Sequence, residues 1–230
     1  MYKNIKVIGF DADDTLWVNE TYFREAELAF GKLMQSYETI NQIDQELFKV
    51  EIENLPIYGY GVKGFVLSMM ETALKLSNMS VSHETMNAIV NIGKNMLNKP
   101  VELLDGVEEV LKTLSQSHRL IMATKGDLLD QERKLEKSGL NKYFHHIEVM
   151  SDKKESDYQK LLSHLDINPQ EFLMIGNSLK SDILPLVSIG ANAIHVPFHT
   201  TWQHEMIDDN SLNNNDYTTV ESALAILKLI

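Results

Sequence analysis

Ile5-Lys6-Val7-Ile8-Gly9-Phe10-Asp11-Ala12-Asp13-Asp14-Thr15-Leu16 decides how the rest of the chain is read. An apolar run from Ile5 to Phe10 that stops at three carboxylates within four residues has the pattern of a buried strand delivering acids to a sheet edge. Like charges so close repel one another unless a cation or a shared proton relieves them, and a hard divalent cation held by oxygen does so directly. An Asp ahead of an apolar segment is also a common helix N-cap, but a cap uses one carboxylate and leaves two without a role.

Working outward, the 230 residues are long for one small domain and short for two ordinary ones, which suggests a core carrying a substantial insertion. A net charge of -12 argues against a nucleic-acid or anionic-membrane surface, because phosphate backbones select for clustered Lys and Arg. The chain has no cysteine, so disulfides and thiol chemistry are excluded. No apolar run approaches the roughly 20 residues of a membrane span, and the N-terminus shows no signal-peptide pattern; a cytoplasmic location is the expectation.

After Leu16 the period changes from strand to helix. Asn19 is a plausible N-cap for a helix carrying Phe23, Ala26, Phe30, Leu33 and Tyr37. A second helix is expected over 44–53, ended by Pro56, a third over 62–76, and a fourth capped by Ser82 and carrying Met86, Ile89, Val90 and Leu97. Methionines at 69, 70, 86 and 96 fit core packing. Residues 17–97 thus read as an inserted helical cap, leaving 1–16 and 98–230 as the core domain, with Trp17 expected to pack where the insert begins.

From Pro100 strands and helices alternate. Asp105 and Glu108 have capping-box spacing ahead of a helix with Val107, Val110, Leu111 and Leu114 on one face. Strands are expected over 119–123, 146–150, 172–175 and 193–196, with helices over 128–138, 158–165 and 182–189, the first ended by Gly139 and the last tolerating Pro185 in its first turn. An Asn-rich loop from Ser211 to Asp216 precedes a closing helix over 220–229. Such alternation implies a parallel α/β sheet covered on both faces, with ligands beyond the carboxyl ends of the strands. Asp11, Thr124, Lys153 and the loop from Asn177 to Asp182 should therefore converge.

Together Asp11, Asp13, Thr124, Lys153, Asn177 and Asp182 match phosphoryl transfer, which needs an aligned nucleophile, neutralised equatorial oxygens and an acid for the leaving group. Mg²⁺ would take oxygen ligands, for which Asp11, Asp13, Asn177, Asp182 and a backbone carbonyl are the candidates. The stretches Asp11-Ala12-Asp13-Asp14-Thr15, Thr124 after a strand, Lys153 five residues before Tyr158, and Gly176-Asn177-Ser178-Leu179-Lys180-Ser181-Asp182 resemble, in order and spacing, the four motifs of the haloacid dehalogenase-like hydrolase superfamily. The resemblance implies a three-layer Rossmann-like core with an inserted helical cap. It also implies a phosphatase in which Asp11 is the nucleophile, Asp13 the general acid and base, Thr124 the phosphate-holding hydroxyl and Lys153 the stabilising cation, with Asn177 and Asp182 serving the metal. Many members carry an acid where Asn177 stands, and spacing to Tyr158 favours Lys153 over Lys154.

The same superfamily contains dehalogenases and phosphomutases. Asp13 speaks against a dehalogenase, since a departing halide needs no proton, but does not separate a phosphatase from a phosphomutase. A non-catalytic phospho-acceptor or binding module has no use for Asp13 or for the insert. A small phosphorylated substrate would meet Thr124 and Lys125, and Tyr60 and Lys63 in the loop that breaks the helical insert; an ordinary inter-helix turn accounts for that loop equally well. The histidines lack the spacing of a zinc site, although His199, Trp202 and His204 could border the site. Nothing in the sequence distinguishes a monomer from a homodimer.

Overall fold

The computed structural model describes residue 2 and residues 4–207 and 217–230; the expected loop from Ser211 to Asp216 lies outside the described residues. Contacts divide the chain into two units. One comprises Met1–Glu20, Val101–Lys125 and Gln131–Ile230, the other Thr21–Pro100 and Gly126–Asp130.

The first unit is built on six strands in the order β3-β2-β1-β4-β5-β6. They are β1 (Val7–Phe10), β2 (Arg119–Lys125), β3 (His146–Met150), β4 (Phe172–Gly176), β5 (Asn192–His195) and β6 (Thr218–Thr219), and every pairing is parallel. β1 lies in the middle, with Phe10 opposite both Met122 of β2 and Ile175 of β4. Alternate residues face opposite layers, as a strand requires. Ile8, Phe10, Leu120, Met122, Leu173 and Ile175 pack with Val107, Val110, Leu111 and Leu114 of α5 (Val107–Leu114) and Leu135 of α6 (Leu128–Ser138). Val7, Ile121, Ala123, Phe172 and Met174 pack with Tyr158, Leu161, Leu162 and Leu165 of α7 (Glu155–Leu165). Two buried faces explain why these strands read as continuous apolar runs. Gly9 is small for a reason: a Cβ there would lie 2.6 Å from the Phe172 ring.

Several local expectations are corrected. The turn into α5 is not a capping box from Asp105, because Gly106 occupies the N-cap with φ 79° and no side chain caps the helix. Helix α1 (Glu20–Met34) is not capped by the Asn19 side chain; Asp14 accepts the backbone N–H groups of Asn19 and Glu20 at 2.8 and 2.9 Å. Beyond β4 the chain makes a π-helical turn (Leu179–Ile183) before a short α8 (Leu184–Ser188), where one longer α-helix was expected. The C-terminal segment is a 3-10 helix (Ala223–Lys228), and β6, only two residues long, carries no periodic signal.

The second unit is helical: α1, α2 (Ile40–Tyr58), α3 (Val62–Leu76) and α4 (His83–Leu97). Ala26, Phe30, Met34, Ile43, Leu47, Phe65, Met69, Ala73 and Ile89 form its core. Pro56 does not end α2 but sits in its last turn, which closes by Gly59 N–H donating to Leu55 O, and Gly59 turns the chain out at φ 71°. A proline there costs a single hydrogen bond next to carbonyls already near a helix end. Ser82 caps α4 by accepting the Thr85 N–H. No helix among the described residues is long and apolar enough to cross a membrane.

Candidate active site

Asp11 leaves the end of β1 with its N–H donating to Ile175 O, which ties it to β4. Its carboxylate is buried and meets two donors: Lys153 Nζ at 2.5 Å from Oδ1 and Thr15 Oγ1 at 3.1 Å from Oδ2. Lys153, buried at the end of β3, also donates to Asp182 Oδ1 at 2.6 Å, while Ser178 N–H donates to Asp182 Oδ2 at 3.0 Å. The π-helical turn therefore folds Asp182 back beneath β4, and Gly176 makes room for it, since a Cβ at 176 would lie 2.4 Å from Asp182 Cγ. Of the two adjacent lysines, Lys153 is the one at the acids; Lys154 is 74% exposed and pairs with Asp152.

Two buried carboxylates thus share one ammonium. Burial, reinforced by Asp182 and only partly offset by Lys153, raises the Asp11 pKa to about 7. Burial alone would lower Lys153, but the two acids hold it well above the ordinary lysine value. The cluster has a negative excess that a cation would relieve.

The other expected residues fall as follows. Thr124 is buried at the end of β2, two positions past Met122, and its hydroxyl donates to Lys125 O at 3.1 Å. Asn177 follows β4; its Oδ1 lies 3.3 Å from Thr15 Oγ1, so a single hydroxyl bridges Asp11 and Asn177. His195 Nε2 lies 3.0 Å from Asn177 O, a tie to the main chain of the loop after β4. The Asp13 carboxylate accepts Trp17 Nε1–H at 2.8 Å and Lys134 Nζ at 2.6 Å on Oδ1, and Gln131 Nε2 at 2.8 Å on Oδ2. Lys125 donates to Glu205 Oε1 at 2.6 Å and Ser181 Oγ at 2.9 Å. Lys63, in the helical unit with Tyr60, pairs with Asp127 at 2.8 Å.

Three residues here escape the sequence reading. Glu205 accepts Ser178 Oγ and Ser181 Oγ at 2.5 and 2.6 Å besides Lys125, and so fastens the loop after β5 to the loop after β4. Burial would raise its carboxyl, but Lys125 and the two serine hydroxyls bring it down to about 2. Its nearest sequence signal is the polar stretch from His199 to His204 beside it. Gln131 and Lys134, the holders of Asp13, lie on α6 and carry no motif at all.

Among the described residues no group of three or more His, Cys, Asp or Glu side chains is arranged to hold a metal ion. Each Asp182 oxygen accepts one donor, as each Asp11 oxygen does, whereas the Asp13 carboxylate is held by three donors. The donors that fit a hard cation are the Asp11 carboxylate and the Asn177 amide oxygen, which one hydroxyl already brings together, with the Asp182 carboxylate and a backbone carbonyl. All are oxygen, and the negative excess around Asp11 has the right sign.

Comparisons with known proteins bear on the family and the fold. A solved haloacid dehalogenase-like family hydrolase from Xanthomonas campestris is 37% identical and superposes with a TM-score of 0.86, covering 98% of this chain and 91% of that one. N-acylneuraminate-9-phosphatase of Mus musculus is 24% identical over 200 residues, 82% of this chain and 81% of that protein. A 2-haloacid dehalogenase from Pseudomonas syringae shares the fold at a TM-score of 0.66 and 16% identity, covering 98% of this chain and 97% of that one. The model of the haloacid dehalogenase-like hydrolases matches residues 5–190, a span that begins at the strand leading to Asp11 and runs past the Asp182 turn. On that match, and on strand ends that gather an aspartate, a lysine and an Asn-to-Asp loop, the chain belongs to the haloacid dehalogenase-like hydrolases.

Proposed function

We propose that this hydrolase cleaves phosphomonoesters of small metabolites through an aspartyl-phosphate on Asp11, with Mg²⁺ as cofactor, in the cytosol. The observation that carries the reading is the buried Lys153 ammonium held between Asp11 and Asp182, which fixes the nucleophile and sets a positive charge where an anionic substrate must approach it. Thr124 would donate its hydroxyl to the phosphoryl oxygens. The resemblance of the chain to a named phosphatase over most of its length supports the same chemistry. So does Asp13, which a halide leaving group does not need.

In this reading an Asp11 oxygen attacks phosphorus and the bond from phosphorus to the ester oxygen breaks. The leaving alkoxide takes a proton from the Asp13 carboxyl. A water molecule then gives a proton to the Asp13 carboxylate and attacks the same phosphorus, releasing inorganic phosphate and restoring Asp11. Asp11, Asn177, Asp182 and the Asp13 backbone carbonyl would hold Mg²⁺, which would supply charge neutralisation for the phosphoryl oxygens. Tyr60, Lys63 and the rest of the helical unit, acting as a cap, would bear on substrate choice.

Hydrolysis of 4-nitrophenyl phosphate with Mg²⁺, against EDTA and against Asp11→Asn, tests the proposal. Turnover should vanish with chelator and fall at least about 10³-fold in the variant, as expected for loss of the nucleophile. Turnover that survives both, or halide release from a 2-haloacid with no phosphate release, would overturn it.

A further inference from the structure

We propose that Lys134, Gln131 and Trp17 are positioning residues for Asp13, and that they divide the work of its two oxygens. Oδ1 is the anchor and Oδ2 the oxygen that carries the proton. This deepens the phosphatase reading and rests on it.

A carboxyl group that delivers a proton needs one oxygen free to bear it, and needs the other held so that the group does not rotate. Asp13 Oδ1 accepts two donors, Trp17 Nε1–H at 2.8 Å and Lys134 Nζ at 2.6 Å. Oδ2 accepts one, Gln131 Nε2 at 2.8 Å, and so is the less occupied of the pair among the described residues.

The holders are themselves fixed. Trp17 is fully buried and bridges to Asp13 and to Leu103 through its backbone. Gln131 is buried, and the same Nε2 that reaches Asp13 also donates at 2.9 Å to the O of Lys125, the last residue of the strand that carries Thr124. Lys134 is braced by Asn19 Oδ1 at 3.1 Å. Gln131 and Lys134 stand three apart on α6, hence on one face, which is what lets a single helix grip both oxygens of one carboxylate.

The Gln131 Oε1 atom is buried with no hydrogen-bond partner among the described residues. The unpaired oxygen carries a desolvation cost, but turning the amide over would set that oxygen against two acceptors and lose both hydrogen bonds, so the orientation is fixed. Its orientation is set by Asp13 Oδ2 and the Lys125 carbonyl.

Leaving-group dependence isolates this role. 4-Nitrophenyl phosphate releases a stable phenolate and needs little help from an acid, whereas benzyl phosphate, of similar shape, releases an alkoxide that must be protonated. With the full chain and Mg²⁺, Lys134→Met should lower the benzyl to 4-nitrophenyl kcat ratio about tenfold, a modest part of what general acids contribute. Lys134→Arg should restore the ratio, and Trp17→Phe should lower it.

A ratio unchanged in Lys134→Met, both rates falling in parallel, or a ratio that rises would each overturn the proposal, the last because it would mean that the clamp holds Asp13 away from its work. If the methionine variant does not fold by circular dichroism, Lys134→Gln, too short to keep the ion pair, gives the same reading. Wild-type protein that hydrolyses neither ester overturns the phosphatase reading itself, and is told apart from failure of the clamp by needing no variant.

Discussion

Two ion-pair clusters lie at the strand ends of the same sheet, and they are balanced differently. Around Lys153 there are two carboxylates for one ammonium, and Asp11 is driven up to about 7. Around Glu205 the Lys125 ammonium and two serine hydroxyls all donate to one carboxylate, and Glu205 falls to about 2. Both clusters are largely withdrawn from water, so burial alone does not set the outcome; the ratio of donors to acids does. An over-supplied carboxylate is scaffold. An under-supplied one is poised to accept something else, and the phosphoryl group and cation of the proposed reaction are what it would accept.

The largest effect should come from Lys153→Met, which leaves two buried acids without their cation. A loss of roughly 3–5 kcal/mol in urea denaturation is expected for a broken buried pair, together with loss of phosphatase turnover. Adding Asp182→Asn should return part of the stability and none of the turnover, which would separate the balance of charge from the chemistry.

Glu205→Gln comes next. The folded-state pKa of Glu205 lies below its ordinary value of 4.5, so its contribution is complete above pH 4.5 and lost as pH falls toward 2. At pH 7 the variant should be less stable by about 2–3 kcal/mol, and the gap from wild type should close between pH 4.5 and 2. A gap that does not depend on pH would contradict the balance drawn above. The smallest effect belongs to Lys63→Met, because its partner Asp127 and Lys63 itself are both solvated; a change below about 1 kcal/mol in melting experiments is expected.

Much of this was legible in order along the chain. The apolar run into Asp11 and the runs ending near Thr124, Lys153 and Asn177 announce strands, because a parallel sheet buried on both faces demands uninterrupted apolar residues. What could not be read depends on distance. Lys134 meets Asp13, and Glu205 meets Lys125, only after the sheet has assembled, and neither lysine nor glutamate carries a local pattern that says so. Asp105 misled because capping-box spacing is a local signal, while the left-handed backbone at Gly106 and the Leu224 side chain 2.6 Å from where its Cβ would stand are tertiary facts. Asp14, by contrast, does what an Asp ahead of an apolar segment is expected to do: it accepts the N–H groups five and six residues on, where α1 begins.

The central place of β1 also bears on how the chain folds. Its neighbours are Arg119–Met122 and Phe172–Ile175, so each of its pairings spans more than a hundred residues and bridges the whole helical segment. Closure of the sheet around the candidate nucleophile therefore rests on long-range contacts, which form more slowly than the local contacts of the helices between them.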